Sequence, residues 1–196
     1  MTVSPVTLTG RHVRLEPLCP AHVPDLTVAA AEEEIWRYLP AALPRDEAAM
    51  TRLVAAALQE AERGGRRPFA VIRPASGRAV GSTSYLDIAP EHRRIEIGWT
   101  WLGAEARRTA INTECKYLLL RHAFETLGCG RVQLKTDARN LRSQAAIERI
   151  GAKREGVLRR HLVMPDGFVR DTVMFSILAE EWPAVKARLE ANLARP

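Results

Sequence analysis

Cysteine is scarce in this chain. Cys19, Cys115 and Cys129 are the only three among 196 residues. Their number is odd and their spacing fits neither a disulfide framework nor a zinc knuckle, so reduced thiols and no metal site are expected. Long apolar runs are missing: no stretch approaches the ~20 residues that span a bilayer. The opening MTVSPVTLTGRH lacks the apolar segment of a secretory leader. A cytoplasmic protein without a membrane partner is the expectation. Aromatic residues make up 6% and do not interleave with the arginines, which argues against a nucleic-acid stacking platform. The five histidines are scattered singly, as a metal cluster's ligands are not. There is no Gly-x-Ser-x-Gly elbow, no Gly-x-x-x-x-Gly-Lys-Ser/Thr loop and no His-Glu-x-x-His helix, which removes the signals of the commoner hydrolases, nucleoside triphosphatases and zinc proteases.

What the chain has in excess is positive charge. The formal net charge is +6 and the pI about 9.7, most of it from arginine. Such a balance suits an anionic partner, either nucleic acid or a phosphorylated cofactor, and charge alone does not choose between them. Hydrophobic content of 46% and charged content of 27% are those of an ordinary globule. The length suits one domain over residues 1–196.

Periodicity supplies the elements. RHVRLEPL alternates as a half-buried strand does, and Cys19-Pro20 ends it. AHVPDLTVAAAEEEIWRYL reads as one helix. DEAAMTRLVAAALQEAERGG starts acidic and stops at Gly64-Gly65, the polarity of a second. Three strands follow, at Pro68–Pro74, Ala79–Ala89 and Arg94–Leu102. A helix ending near Leu127-Gly128 comes next, with Cys115, Leu118, Leu119 and Ala123 spaced to face a core. After it come a strand at Arg131–Ala138, a short helix stopped by Gly151, two strands about the turn Pro165-Asp166-Gly167, and a closing helix with Pro183 in its first turn. The order βααβββαβαββα predicts an α+β, or mixed α/β, domain.

One segment stands out chemically. RRTAINTECKYLLLRHAF puts Arg107 and Arg108 before a helix whose start is crowded by Thr109, Asn112 and Thr113. Unpaired N–H groups and the positive end of the helix dipole suit an anion there. A basic, well-capped helix with no ligand has the same sequence.

With its surroundings the segment says more. GWTWLGAEARRTAINTECKYLLLRHAFETLG resembles the cofactor-binding core of the GNAT (general N-acetyltransferase) superfamily, in particular its RimJ/RimL-like members. DARNLRSQAAIERIGAKREGVLRRHLVMPDGFVRDTVMFSI is similar to the second half of that family, and TLTGRHVRLEPLCPAH and EIWRYLP to its amino-terminal region. The resemblance runs in order along nearly the whole chain. It implies a mixed, mostly antiparallel sheet flanked by helices and splayed between its fourth and fifth strands, here Arg94–Leu102 and Arg131–Ala138. Acetyl-CoA would enter the opening. Its pantetheine arm would pair with backbone of the fourth strand, through Trp101 and Leu102 at its end. The pyrophosphate would sit on Arg107, Arg108, Thr109, Ala110, Ile111, Asn112 and Thr113. The family loop is Arg/Gln-x-x-Gly-x-Gly/Ala; here Ala110 and Asn112 stand at the small positions, so cofactor binding is expected to be retained but altered.

The resemblance also implies roles. A carboxylate on the fourth strand serves as base in relatives. Glu96 holds that strand here, with Asp87 as the second candidate, and an outward-facing Glu96 paired with Arg94 or another cation is the competing reading. Asn140 matches the residue that fixes the cofactor arm and Ser143 the one near the thioester, although Asn-x-x-Ser is also an ordinary helix cap. The tyrosine acid of many relatives is missing: Ile147 occupies its position. Trp36, Tyr38 and Glu32–Glu34 lie where relatives shape the acceptor pocket. Acyl transfer to an amine, without metal and with a homodimer allowed, is one reading. A cofactor-binding sensor or scaffold without turnover is another. Nucleic-acid binding is a third, and the scattered arginines disfavour it.

Overall fold

The computed structural model describes residues 1–194. A two-residue strand β1 (Leu8–Thr9) precedes β2 (Arg14–Pro17), and helices α1 (Val23–Ala29), α2 (Glu33–Trp36) and α3 (Glu47–Glu62) follow. The sheet continues with β3 (Arg66–Arg73), β4 (Arg78–Ala89) and β5 (Arg94–Leu102). Then come α4 (Ala110–Arg121), β6 (Arg131–Asp137), α5 (Leu141–Arg149), β7 (Lys153–Val163), β8 (Val169–Leu178) and α6 (Trp182–Leu193). Among the described residues no helix is long and apolar enough to cross a membrane.

Two elements differ from the sequence expectation. Leu8–Thr9 pairs with Leu15 and Arg14, a strand too short to leave a period. The helix expected through AHVPDLTVAAAEEEIWRYL is broken after Ala30. The indole N–H of Trp36 donates to the Ala30 carbonyl at 2.9 Å, so a side chain takes an acceptor that ends α1, and Glu32 turns extended to start α2. The acidic start and glycine end of α3 behave as read: the Asp46 carboxylate accepts from Ala49 N at 2.6 Å.

The eight strands lie in the order β1-β2-β3-β4-β5-β6-β8-β7. Every neighbouring pair is antiparallel except β5 and β6. Helices pack on both faces of the β2–β5 half. Leu15, Val71, Ile95 and Ile97 share a core with Ile111, Cys115, Leu118 and Leu119 of α4 and with Trp182, Val185 and Leu189 of α6. Ala70, Ile72 and Trp101 face the other way, against Leu26 of α1 and Met50 and Val54 of α3. Burial on both faces explains why PFAVIRP is apolar without alternation. By contrast β6 and β8 alternate: Val132, Leu134, Val173 and Phe175 enter the core. Gln133, Lys135 and Asp137 on β6 lie on the opposite face, opposite Ser176, Met174 and Thr172 on β8.

One long-range tie seats α4. The buried carboxylate of Glu114 accepts the backbone N–H groups of Arg11 (2.8 Å), His12 (2.5 Å) and Val13 (2.8 Å), which fixes the amino-terminal hairpin against the helix.

Candidate active site

The parallel pair β5–β6 is short. Arg94 faces Arg131, Ile95 faces Val132 and Glu96 faces Gln133, and there the ladder stops. Beyond Glu96 the strands part. The cause is visible in β5 itself: its register against β4 slips between Ser82 and Ser84, and Trp99 in that bulge has a φ of 49°. A left-handed tryptophan costs about 1–3 kcal/mol and must be held by its neighbours. The Arg66 guanidinium lies 4.7 Å from its ring centroid, and Thr100 Oγ1 bonds both Thr83 Oγ1 (2.8 Å) and Lys116 Nζ (2.6 Å). The bulge bends β5 away from β6 and leaves backbone N–H and C=O groups of Ile97–Leu102 and Leu134–Asp137 without a partner strand between them. A cleft of about 1170 Å³ fills the opening.

Glu96 sits where the strands separate. It is 1% exposed. Its Oε2 is held by Lys135 Nζ at 2.9 Å and by Gln133 Nε2 at 3.3 Å, whereas Oε1 has no hydrogen-bond partner. A buried carboxylate oxygen left unsatisfied costs about 1–3 kcal/mol or more, and this one belongs to a residue that lines the cleft. Gly98 makes the room: a Cβ there would lie 2.8 Å from Glu96 Oε1 and from Leu86 Cδ1. At the outer end Arg107, Arg108, Thr109, Asn112, Thr113 and Lys116 line the same wall. The Thr109 hydroxyl accepts from Ile111 N at 3.2 Å and caps α4, whose start carries the positive end of the helix dipole.

A sheet splayed at one parallel pair, with a buried carboxylate inside and a basic helix start at the rim, has known counterparts. Residues 12–153 match the acetyltransferase (GNAT) domain. The chain belongs to the GNAT acetyltransferase family. A candidate acetyltransferase of T. thermophilus has 45% identity, covers 98% of this chain and 100% of its own, and superposes with a TM-score of 0.90. YdaF of Bacillus subtilis strain 168, a candidate ribosomal N-acetyltransferase, is 34% identical over 110 residues. That match spans 56% of this chain and 59% of YdaF. RimJ of Mycobacterium smegmatis, solved in complex with CoA-disulfide, shares the fold at 22% identity, with a TM-score of 0.83 over 96% of this chain and 95% of its own. The GNAT resemblance drawn from the sequence therefore holds for family and for fold. The splayed pair is the one anticipated, numbered β5 and β6 because of the extra strand at Leu8–Thr9.

Most of the residues singled out in the sequence meet in this GNAT cleft. Trp101, Leu102, Arg107, Arg108, Thr109, Asn112, Thr113, Asn140, Ser143, Tyr38 and Glu96 all line it. Ala110 and Ile111 do not: they turn toward a smaller hollow with Arg11, His12 and Arg73, and Ile111 is buried in the core. Trp36 is likewise a core residue, 5.3 Å from Trp101 ring to ring. Asp87 is outside the lining. It binds Arg94 and accepts from Gln133 Nε2 at 2.9 Å; Glu96 is buried and not outward-facing, and the cation it pairs with is Lys135. Asn140 Oδ1 accepts from Ser143 N at 3.0 Å, so the Asn-x-x-Ser pair caps α5 and faces the cleft at once.

The loop departs from the sequence argument in one respect. Ala110 and Asn112 need no special backbone, because both are helical. The left-handed residue is Arg108, with φ 60°. Sequence reasoning also passed over Lys116 and Arg170. Lys116 is 7% exposed, and burial pulls its pKa down. Its signal was its position four residues after Asn112, on the same helical face. Arg142 and Glu34 also line the cleft. Glu34 accepts from Arg142 at 3.0 Å and lies 3.6 Å from Arg107, while Glu32 pairs directly with Arg107.

Proposed function

We propose that the protein transfers an acetyl group from acetyl-CoA to a primary amine, by direct attack within a ternary complex. The observation that carries this reading is Glu96 Oε1: a buried, unpartnered carboxylate oxygen at the point where β5 and β6 separate. The unpaired backbone of β5 suits the amide-rich pantetheine arm, and Arg107, Arg108, Asn112, Thr113 and Lys116 suit the pyrophosphate. Acetyl-CoA supplies an activated thioester when bound.

The chain's own residues supply the rest. Lys135 holds Oε2 of Glu96 and leaves Oε1 to receive the proton of an incoming ammonium, directly or through one water. Backbone N–H groups of β5 polarise the acyl oxygen. Asn140 and Ser143 fix the cofactor arm near the reacting carbon. As the N–C bond forms the C–S bond breaks, and one proton is returned to the departing sulfur. A cysteine relay has no support: Cys115 and Cys129 are buried outside the cleft lining, and burial pushes both thiols up to about 11.

Titration calorimetry with acetyl-CoA, paired with thiol release on an amine panel, tests the reading. Micromolar binding with amine-dependent thiol release is expected. Undetectable binding at millimolar acetyl-CoA overturns it, and tight binding without release on any amine replaces it with a sensor or scaffold role.

A further inference from the structure

The cleft contains a second group that the transfer chemistry does not use. Arg170, on β8, is 4% exposed and lines the cleft. Its Nε donates to Thr172 Oγ1 at 3.0 Å and its Nη1 to the Tyr38 carbonyl at 3.3 Å. Both partners are neutral, and among the described residues no carboxylate forms an ion pair with it. Asp137 is near enough to influence it, but both Asp137 oxygens are committed to Arg139: Oδ1 accepts its backbone N–H at 2.8 Å and its Nε at 3.0 Å, and Oδ2 its Nη2 at 2.7 Å. A buried guanidinium without an anionic partner is costly. One that faces a substrate cleft is a place for the substrate to supply the anion.

The surroundings give the same sign. Lys135 is the other cation on this part of the wall and Glu96 its carboxylate. Arg170 and Lys135 against Glu96 leave an excess of one positive charge. His161, in the bulge of β7 opposite Asp171, senses the same excess: burial and the Lys135 and Arg170 cations pull its pKa down. A bare alkylammonium entering this end would meet more positive charge than negative. An acceptor that carries its own negative charge would not.

The geometry points to a small amino acid as acceptor, its amine directed to Glu96 Oε1 and its carboxylate to Arg170. This rests on the acetyl-transfer reading and narrows it. The two anchoring groups are 1% and 4% exposed, depths that favour a small molecule over a folded protein's surface. Arg170 is then a specificity-determining residue. It touches the acceptor and takes no part in moving a proton.

The test uses the full chain saturated with acetyl-CoA. Thiol release is measured on α-, β- and γ-amino acids and on the same compounds as carboxamides. At least one acid should exceed its carboxamide in kcat/KM by about tenfold or more, since a site built for a charged group rejects the analogue lacking it. Arg170→Gln should erase that ratio chiefly through KM while acetyl-CoA affinity stays within about twofold, and Arg170→Lys should keep part of it. Equal use of acids and carboxamides, turnover confined to neutral amines or peptides, or no turnover of any acid overturns the assignment. Release from carboxamides that equals release from the acids would leave acetyl transfer standing while this inference falls, whereas failure to bind acetyl-CoA would remove the transfer reading itself. The acid-to-amide ratio of the unaltered protein decides the matter even if a variant fails to fold.

Discussion

Arg107, on the turn before α4 and in the cleft wall, is ion-paired with Glu32, at the start of α2. Glu34 reinforces the contact from 3.6 Å and also holds Arg142 at 3.0 Å. Two carboxylates thus occupy two cations on the rim where a pyrophosphate would bind. Displacing them opposes binding, by up to about 1 kcal/mol for each half-exposed pair. Glu32→Gln combined with Glu34→Gln should therefore tighten CoA binding by about two- to tenfold in low salt, with a smaller gain at high ionic strength. Calorimetry at two salt concentrations checks this. Weaker binding by the double variant would mean that the carboxylates hold the turn in its binding shape instead of competing with the ligand.

Replacing Glu96 by Gln keeps the size of the side chain and removes the proposed base. Turnover should fall by about 10²–10⁴-fold, while CoA affinity stays within about twofold. Steady-state thiol release and calorimetry on the same preparation separate the two effects. Parallel loss of both would make Glu96 a structural support of the cleft.

Lys116 offers an unusual pairing of effects. Burying its ammonium against a hydroxyl costs stability, so Lys116→Met should raise Tm by a few degrees, about 2–4 °C per kcal/mol at this chain length. The same change should weaken CoA binding by about tenfold through loss of a cleft cation. The pH dependence has a definite sign. Burial lowers the folded-state pKa below the ordinary 10.5, so the unfolded chain holds the proton more tightly. The native protein then gains stability as pH rises from the folded value toward 10.5, and Lys116→Met lacks that gain. Thermal melts between pH 7 and pH 10.5 read it out.

Glu155 on β7 spans to Arg131 on β6 at 2.5 Å and to Ser176 Oγ on the intervening β8 at 2.7 Å. Hydrogen bonding from Arg131 holds its pKa down to about 2, from an ordinary 4.5. A lowered carboxylate pKa stabilises the fold above the unfolded value, and the contribution is lost as pH falls from about 4.5 to about 2. The carboxylate is 39% exposed, so screening limits the effect to about 1 kcal/mol at neutral pH. Urea unfolding of Glu155→Gln against the native chain at pH 7, 4 and 2.5 should show a difference that shrinks toward the acid end.

Local signals carried much of the architecture. The strand read at RIEIGWTWL matches β5 at its observed bounds, Arg94–Leu102, and acid-to-glycine polarity marked α3. The basic start of α4 was legible because an N-cap, two arginines and an apolar face lie within eighteen consecutive residues. What escaped depends on groups far apart in sequence. The burial of Glu96 follows from the β5–β6 register and from Lys135. The Arg107–Glu32 pair joins positions 75 residues apart. Arg170 carries no signal in the sequence, because only the commitment of Asp137 to Arg139 leaves it without a carboxylate. The break after Ala30 was hidden for a similar reason, since it turns on the Trp36 indole reaching back six residues.

The three hydrogen bonds that Glu114 accepts from Arg11, His12 and Val13 link an early segment to one about a hundred residues later. During synthesis at about 5–20 residues per second, those three N–H groups are made roughly 5–20 s before their acceptor exists. The amino-terminal hairpin cannot reach its final seat until α4 has been made. The helix at the rim of the cleft is therefore also the piece that completes the hairpin made before it, and folding of the two is set to occur as one late event.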